Sequence, residues 1–150
     1  MESGERGRGG DITDLWSAMR KLPFIPGDMI DKLVTGTTTE LGKRTLYLLL
    51  TTWDATGGGP FAAGTIGTIG VDKAGQMLEE LFVARIFSRL LKAVGADRLR
   101  LRASLCASQL VGLGMLRYVS KTEPLASVNV DTVVAAVAPT LQRYLTGDIE

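Results

Sequence analysis

Between Arg102 and Arg117 the chain has no charged residue, and this stretch lies inside a longer helical pattern over residues 97–120. Its apolar residues point all around a helix instead of forming one stripe, and a helix that is apolar on every side must be buried on every side. A chain of 150 residues can cover one side with its own core, while the other side needs a second cover. A partner subunit is the simplest candidate, and the alternative is the central helix of a monomeric bundle.

The rest of the chain also follows helical spacing, since apolar residues recur at three and four and do not alternate as they do in strands. An irregular helix is expected in the glycine-rich region 61–70, because interior glycine weakens a helix. We therefore predict an all-α fold, a bundle of about six to seven helices. The remaining predicted helices cover residues 11–21, 27–34, 39–54, 72–94, 97–120 and 129–145.

Five residues predict how particular helices begin, end or bend. Thr37 and Glu40 have the spacing of a capping box, and Asn129 is a suitable N-cap for the last helix. Gly95 stands where a helix is expected to stop. Pro139 lies inside the last helix and predicts a bend, because proline removes a backbone hydrogen bond.

Composition excludes several classes of function. The chain has no histidine, which excludes Ser-His-Asp catalysis and histidine-ligated metal sites, so we expect neither an enzyme nor a metal protein. Cys106 is the only cysteine, is read as a small buried hydrophobe, and fits a reducing cytoplasm. Seventeen basic residues balance sixteen acidic ones, which removes the basic footprint of a nucleic-acid binder. The longest uncharged run, residues 55–71, is too short to span a membrane.

Two local motifs favour structural interpretations. The glycine-rich run at residues 64–70 lacks the spacing of a phosphate-binding loop and follows no strand. Arg98, Arg100 and Arg102 cluster at a helix start without interleaved aromatic residues, which indicates a solvated helix end more than an RNA contact. Residues 1–23 read as a partly disordered leader with one short helix, ahead of a single domain over residues 24–150.

The C-terminal third resembles a known family. The segments that carry the resemblance are RASLCASQLVGLGMLRYV at 102–119, EPLAS at 123–127 and APTLQRYLTG at 138–147. They are similar to the C-terminal domain of tetracycline-repressor-like (TetR-like) transcriptional regulators. The resemblance is strong over residues 99–148 and weaker back to residue 24. It implies an effector-binding and dimerisation domain whose last two long helices pack against their mates as a four-helix bundle.

The resemblance also implies two sets of site residues and an apolar small-molecule effector without a cofactor. Without the resemblance, aromatic and methionine residues at helical spacing would be interpreted as ordinary residues of the hydrophobic core. The implied homodimer interface comprises Ser104, Ser108, Val111, Gly112, Met115, Val134, Val137, Ala138, Leu141 and Tyr144. The implied effector site comprises Tyr47, Leu50, Trp53, Phe61, Met77, Leu81, Phe82, Met115 and Tyr118.

The chain departs from the family pattern at its N-terminal end. A helix-turn-helix head takes roughly fifty residues, whereas only residues 1–21 precede the domain and they show one helical segment. We therefore expect no direct nucleic-acid binding by this chain. Three alternatives stay open: part of a longer regulator, a headless protein that pairs with itself or a full-length relative, and a ligand-binding module without DNA binding.

Overall fold

A computed structural model describes residues 27–62 and 70–150 of the chain. Within these ranges the chain is helical and contains no strand, which confirms the predicted all-α fold. The helices are α1 (Gly27–Val34), α2 (Leu41–Ala55), α3 (Val71–Leu78), α4 (Ser88–Ala93), α5 (Leu99–Gly114) and α6 (Val130–Thr146). The helix predicted over residues 11–21 and most of the irregular helix predicted over residues 61–70 lie outside the described ranges.

Two of the helices continue through π-helical segments. Glu79–Phe87 joins α3 to α4, and Met115–Val119 extends α5 at its C-terminal end. The described part therefore contains five continuous helical rods. The third and fourth rods correspond to the helices predicted over residues 72–94 and 97–120.

Helices α2 and α6 pack closely because a glycine stands at their crossing. A Cβ atom on Gly42 would lie 2.7 Å from the Gln142 nitrogen and 2.9 Å from the Ala138 oxygen, closer than real Cβ atoms approach. The Gly42 amide donates a hydrogen bond of 2.7 Å to the Gln142 side chain. Along the same side of α2, Leu46, Leu49, Leu50 and Trp53 are buried in a core shared with the remaining helices.

The predicted ends of two helices are confirmed. The Asn129 side chain accepts a 2.8 Å hydrogen bond from the Thr132 amide and caps α6. Gly95 has a φ of +69°, and bonds from the amides of Gly95 and Ala96 to the carbonyls of Lys92 and Leu91 close a Schellman turn.

The predicted capping box is wrong. Residues Thr38–Glu40 form a 3₁₀ turn, and the Thr37 side chain makes no capping hydrogen bond. The reason is that the Glu40 amide, which the box would have bonded to the Thr37 hydroxyl, donates to the Thr37 carbonyl instead. Helix α6 runs through Pro139 without ending, and the bend expected there stays a prediction.

Candidate pairing face and aromatic cluster

One side of α5 and of its π-helical extension is exposed and carries no charge. We call this surface the α5 face, and it consists of Leu101, Ser104, Ser108, Gly112, Leu116 and Val119. These residues follow one another at intervals of three and four, so they form a continuous row along the helix. Leu101, Leu116 and Val119 are 42%, 42% and 41% exposed, and Tyr47 on α2 is the other exposed large hydrophobic side chain among the described residues.

The structure separates the residues of the predicted dimer interface into two groups. Ser104, Ser108 and Gly112 are exposed on the α5 face, with the half-buried Val111 and Met115 beside it. In α6, Val134, Ala138 and Leu141 are buried in the core of their own chain, because this side of α6 packs on α2. Val137 and Tyr144 are half-buried on α6.

Four aromatic rings from the predicted effector site meet inside the domain. Trp53 presents its ring at right angles to those of Phe61, Phe82 and Tyr118, with centroid distances of 5.5, 5.6 and 6.2 Å. Phe61 stacks between Phe82 and Tyr118 at 6.0 and 6.3 Å. We call these four residues the aromatic cluster, and their geometries are the favourable ones for aromatic pairs.

The other predicted effector residues divide between the core and the surface. Leu50, Met77 and Leu81 are buried in the same core, and Met115 packs against it. Tyr47 lies apart from them, 50% exposed. It lines a groove of about 810 Å³ between α2 and α6, together with Lys43 and Pro139.

Glycines let the aromatic rings pack directly on the backbone. A Cβ atom on Gly114 would lie 2.2 Å from Cε2 of Phe61, and one on Gly59 would lie 2.2 Å from Cδ1 of Trp53. The Nε1 atom of Trp53 is buried and has no hydrogen-bond partner among the described residues. A buried donor without an acceptor is costly, so the described residues leave the Nε1 position of Trp53 unsatisfied.

A polar cluster borders the aromatic cluster at the end of α2. Arg117 holds the Asp54 carboxylate with two hydrogen bonds, Nε to Oδ1 at 3.2 Å and Nη2 to Oδ2 at 2.8 Å. Its Nη1 donates to the carbonyls of Leu125 and Val128 at 2.8 and 2.6 Å. The Tyr118 hydroxyl donates to Oδ1 of the same carboxylate at 2.6 Å. Asp54, Arg117 and Tyr118 thus join α2, the end of the α5 rod and the loop before α6.

The protonation equilibria of this polar cluster follow from its hydrogen bonds. Partial burial would raise the pKa of Asp54, but the hydrogen bonds from Arg117 and Tyr118 outweigh it and hold this pKa below its ordinary value. The hydrogen bond to Asp54 raises the pKa of Arg117. Burial, assisted by the Asp54 carboxylate, raises the pKa of the Tyr118 phenol. The stable form is therefore a carboxylate, a guanidinium and a neutral phenol.

Sequence reasoning missed the structural role of the two arginines that bound the uncharged stretch. Arg102 was expected at a solvated helix end, but it is buried, bonds to Asp97 and donates to the Tyr144 carbonyl at 2.8 Å in the last turn of α6. Arg117 was not singled out at all. The available signal was the expectation that their helix is buried on every side, because a buried arginine needs partners.

The cysteine, the potential metal ligands and the helix lengths of the described residues bear on other kinds of site. Burial raises the pKa of the Cys106 thiol to about 12, so this cysteine behaves as a core residue. No group of three or more potential metal ligands occurs in the described part of the chain. None of its helices has the length and apolar character needed to cross a membrane.

These features define a helical-bundle domain with an aromatic interior and an exposed apolar face on its penultimate helix. The family model described as "Tetracyclin repressor-like, C-terminal domain" matches residues 39–145. The chain therefore belongs to this family, as the resemblance in its C-terminal third predicted. Comparisons with curated proteins and with solved structures give no match.

Proposed function

We propose that the chain is the effector-binding and dimerisation part of a TetR-like transcriptional regulator, acting in the cytoplasm as a homodimer. The observation that carries this proposal is the α5 face. Water-exposed leucine and valine side chains in a continuous uncharged row are typical of a surface that a partner covers. This row lies on the helix whose sequence is apolar on every side.

The shape of the α5 face suits a second helix. Its middle consists of Ser104, Ser108 and Gly112, and a Cβ atom at Gly112 would meet nothing within 4 Å. Small side chains let helix backbones approach closely, while Leu101 and Leu116 supply apolar area at either end. Together with Val137 and Tyr144 of α6, this gives the proposed interface. Val134, Ala138 and Leu141 are no longer part of it, since their own core covers them.

A charged residue in the middle of the α5 face tests the homodimer. We expect sedimentation equilibrium to show a dimer for the wild type and a monomer for Gly112→Arg, because the guanidinium would have to be buried without a partner. Gly75→Arg is the matched control, since Gly75 is also a helical glycine with open space around its Cβ position. It is expected to remain a dimer. A monomeric wild type, or a dimeric Gly112→Arg variant, would rule out this interface.

The proposed effector is an apolar molecule with a hydrogen-bond acceptor, bound at the aromatic cluster. The buried Nε1 of Trp53, which has no acceptor among the described residues, supports this choice, since an acceptor there would satisfy a buried donor. Neighbouring rings lie at centroid distances of 5.5–6.3 Å, and we expect a bound molecule to displace one of them.

Tryptophan fluorescence tests the effector site. In a Trp16→Phe background Trp53 is the only tryptophan. We expect anilinonaphthalene sulfonate, an apolar probe with acceptor oxygens, to quench Trp53 emission in a saturable way. Phe82→Leu is expected to weaken that binding, because it removes one face of the cluster. Emission that stays unchanged up to millimolar probe would argue against a site at these rings.

A further inference from the structure

We propose that Arg117 and Tyr118 are positioning residues that couple the aromatic cluster to the α5 face. The inference rests on the proposed function, because it concerns how an event at the effector site reaches the dimer interface. It follows from a series of contacts that connects the Tyr118 ring, through the Asp54 carboxylate and Arg117, to the exposed end of the α5 rod.

The first contacts in this series are made by the side chain of Tyr118. Its ring belongs to the aromatic cluster, where it stacks on Phe61 and stands edge-on to Trp53. Its hydroxyl donates to Asp54 Oδ1, the same oxygen that accepts a hydrogen bond from Arg117 Nε. A molecule that displaces the Tyr118 ring must therefore also remove a hydrogen bond from the partner of Arg117.

The second part is the position of Arg117. Its side chain is only 6% exposed, and every nitrogen is engaged: Nε and Nη2 with Asp54, and Nη1 with the carbonyls of Leu125 and Val128. The loop between α5 and α6 is thus held through a guanidinium that Asp54 orients. Weakening the hydrogen bonds between the Asp54 carboxylate and Arg117 destabilises the loop, because a buried guanidinium is stable only with its partners in place.

The third part connects Arg117 and Tyr118 to the surface. Both lie in the π-helical segment Met115–Val119, which also carries Leu116 and Val119 of the α5 face. The Leu116 carbonyl accepts a hydrogen bond of 2.8 Å from the amide of Thr122, which lies in the loop after this segment. A π-helical turn can pass to α-helix by shifting its hydrogen bonds by one residue, which turns neighbouring side chains about the axis. Leu116 and Val119 consequently move when Arg117 and Tyr118 do.

Removal of the Tyr118 hydroxyl tests the coupling without any effector. In Tyr118→Phe the ring stays in the cluster while the hydrogen bond to Asp54 is lost. We expect the dimer dissociation constant to rise by about three- to tenfold, and the amides of Thr122, Ala126 and Val128 to exchange faster with solvent. Tyr47→Phe is the matched control: the Tyr47 side chain is half exposed and outside the aromatic cluster. It is expected to change neither quantity.

Two further variants separate coupling from a general loss of stability. Ile86→Val removes a buried methylene from the segment Glu79–Phe87, which carries no residue of the polar cluster, and is expected to lower stability without altering the dimer dissociation constant. The double variant Asp54→Asn with Tyr118→Phe is expected to dimerise no more weakly than Asp54→Asn alone, since both changes act through Arg117.

The outcomes distinguish the coupling from the proposed function. A monomeric wild type would overturn the proposed function itself. A dimeric wild type whose dissociation constant is the same in Tyr118→Phe would overturn only the coupling. The coupling is also overturned if Ile86→Val weakens dimerisation as much as Tyr118→Phe does.

Discussion

At the scale of single residues, the described structure depends on positions where a small or charged side chain has specific neighbours. Gly42 and Gly114 stand where another backbone or ring leaves no space for a methyl group. Arg102 and Arg117 are buried, and each donates hydrogen bonds to backbone carbonyls of another chain segment. Sequence periodicity cannot predict such contacts. It identifies the buried side of a helix, but it does not identify the atoms that this side contacts.

The contact between Gly114 and Phe61 gives a test of packing. We expect Gly114→Ala to lower the free energy of unfolding by about 1–3 kcal/mol, because the new methyl group would overlap a rigid aromatic ring. Gly75→Ala serves as the control, with open space at its Cβ position, and is expected to raise the free energy of unfolding by about 0.5–1 kcal/mol. Urea denaturation of both variants measures the two effects. Equal stability of the two variants would contradict the packing at Gly114.

The phenol of Tyr118 gives a test in alkaline solution. Its folded-state pKa is raised above the ordinary value of 10.0, so the folded protein binds the phenolic proton more tightly than the unfolded chain does. The resulting stabilisation is complete below pH 10.0 and is lost as the pH rises above it. We expect the free energy of unfolding to fall more steeply above that pH in the wild type than in Tyr118→Phe. Parallel profiles in urea denaturation would show that burial and Asp54 do not raise the pKa of this phenol in the folded protein.

At the scale of helices, hydrophobic periodicity predicted where the described helices lie, and single residues predicted some of their ends. Gly95 and Asn129 end and begin helices as predicted, since their local chemistry suffices to decide the backbone geometry. Thr37 did not cap a helix, because a 3₁₀ turn precedes α2. The two π-helical segments were not predicted, as they leave no distinct spacing in the sequence.

The cap on α6 gives a test at this scale. We expect Asn129→Ala to lower the free energy of unfolding by about 1 kcal/mol, because the Thr132 amide loses its acceptor. Asn129→Asp retains an oxygen at that position and should restore most of the stability. Thermal unfolding followed by circular dichroism compares the three proteins. An aspartate variant as unstable as the alanine variant would show that the oxygen is not what stabilises the helix start.

At the scale of the whole molecule, the fold class and the family were predictable, whereas the arrangement of the site was only partly so. Trp53, Phe61, Phe82 and Tyr118 do lie together, since large apolar residues on the inner sides of neighbouring helices meet in the core. Tyr47 does not join them, because α2 turns that side toward α6 and the solvent. Which residues of α6 are buried and which are exposed depends on the helix that α6 packs against. A single sequence does not specify that helix.

The absence of charge on the α5 face gives a test of the assembled protein. We expect the dimer dissociation constant to change less than about twofold between low and high salt, since salt screens charges and the proposed contacts are apolar. Analytical ultracentrifugation in a series of sodium chloride concentrations measures this. A dissociation constant that rises tenfold with salt would place the interface on a charged surface instead.

The two buried arginines fasten the last two helices to each other at opposite ends. Arg102, near the start of α5, binds the last turn of α6, and Arg117, past the end of α5, binds the loop that leads into α6. If either helix frayed at these ends, a buried guanidinium would lose the hydrogen-bond acceptors that the other segment provides. The hairpin of α5 and α6 should consequently open as one cooperative unit, with all its interior amides sharing a single opening free energy.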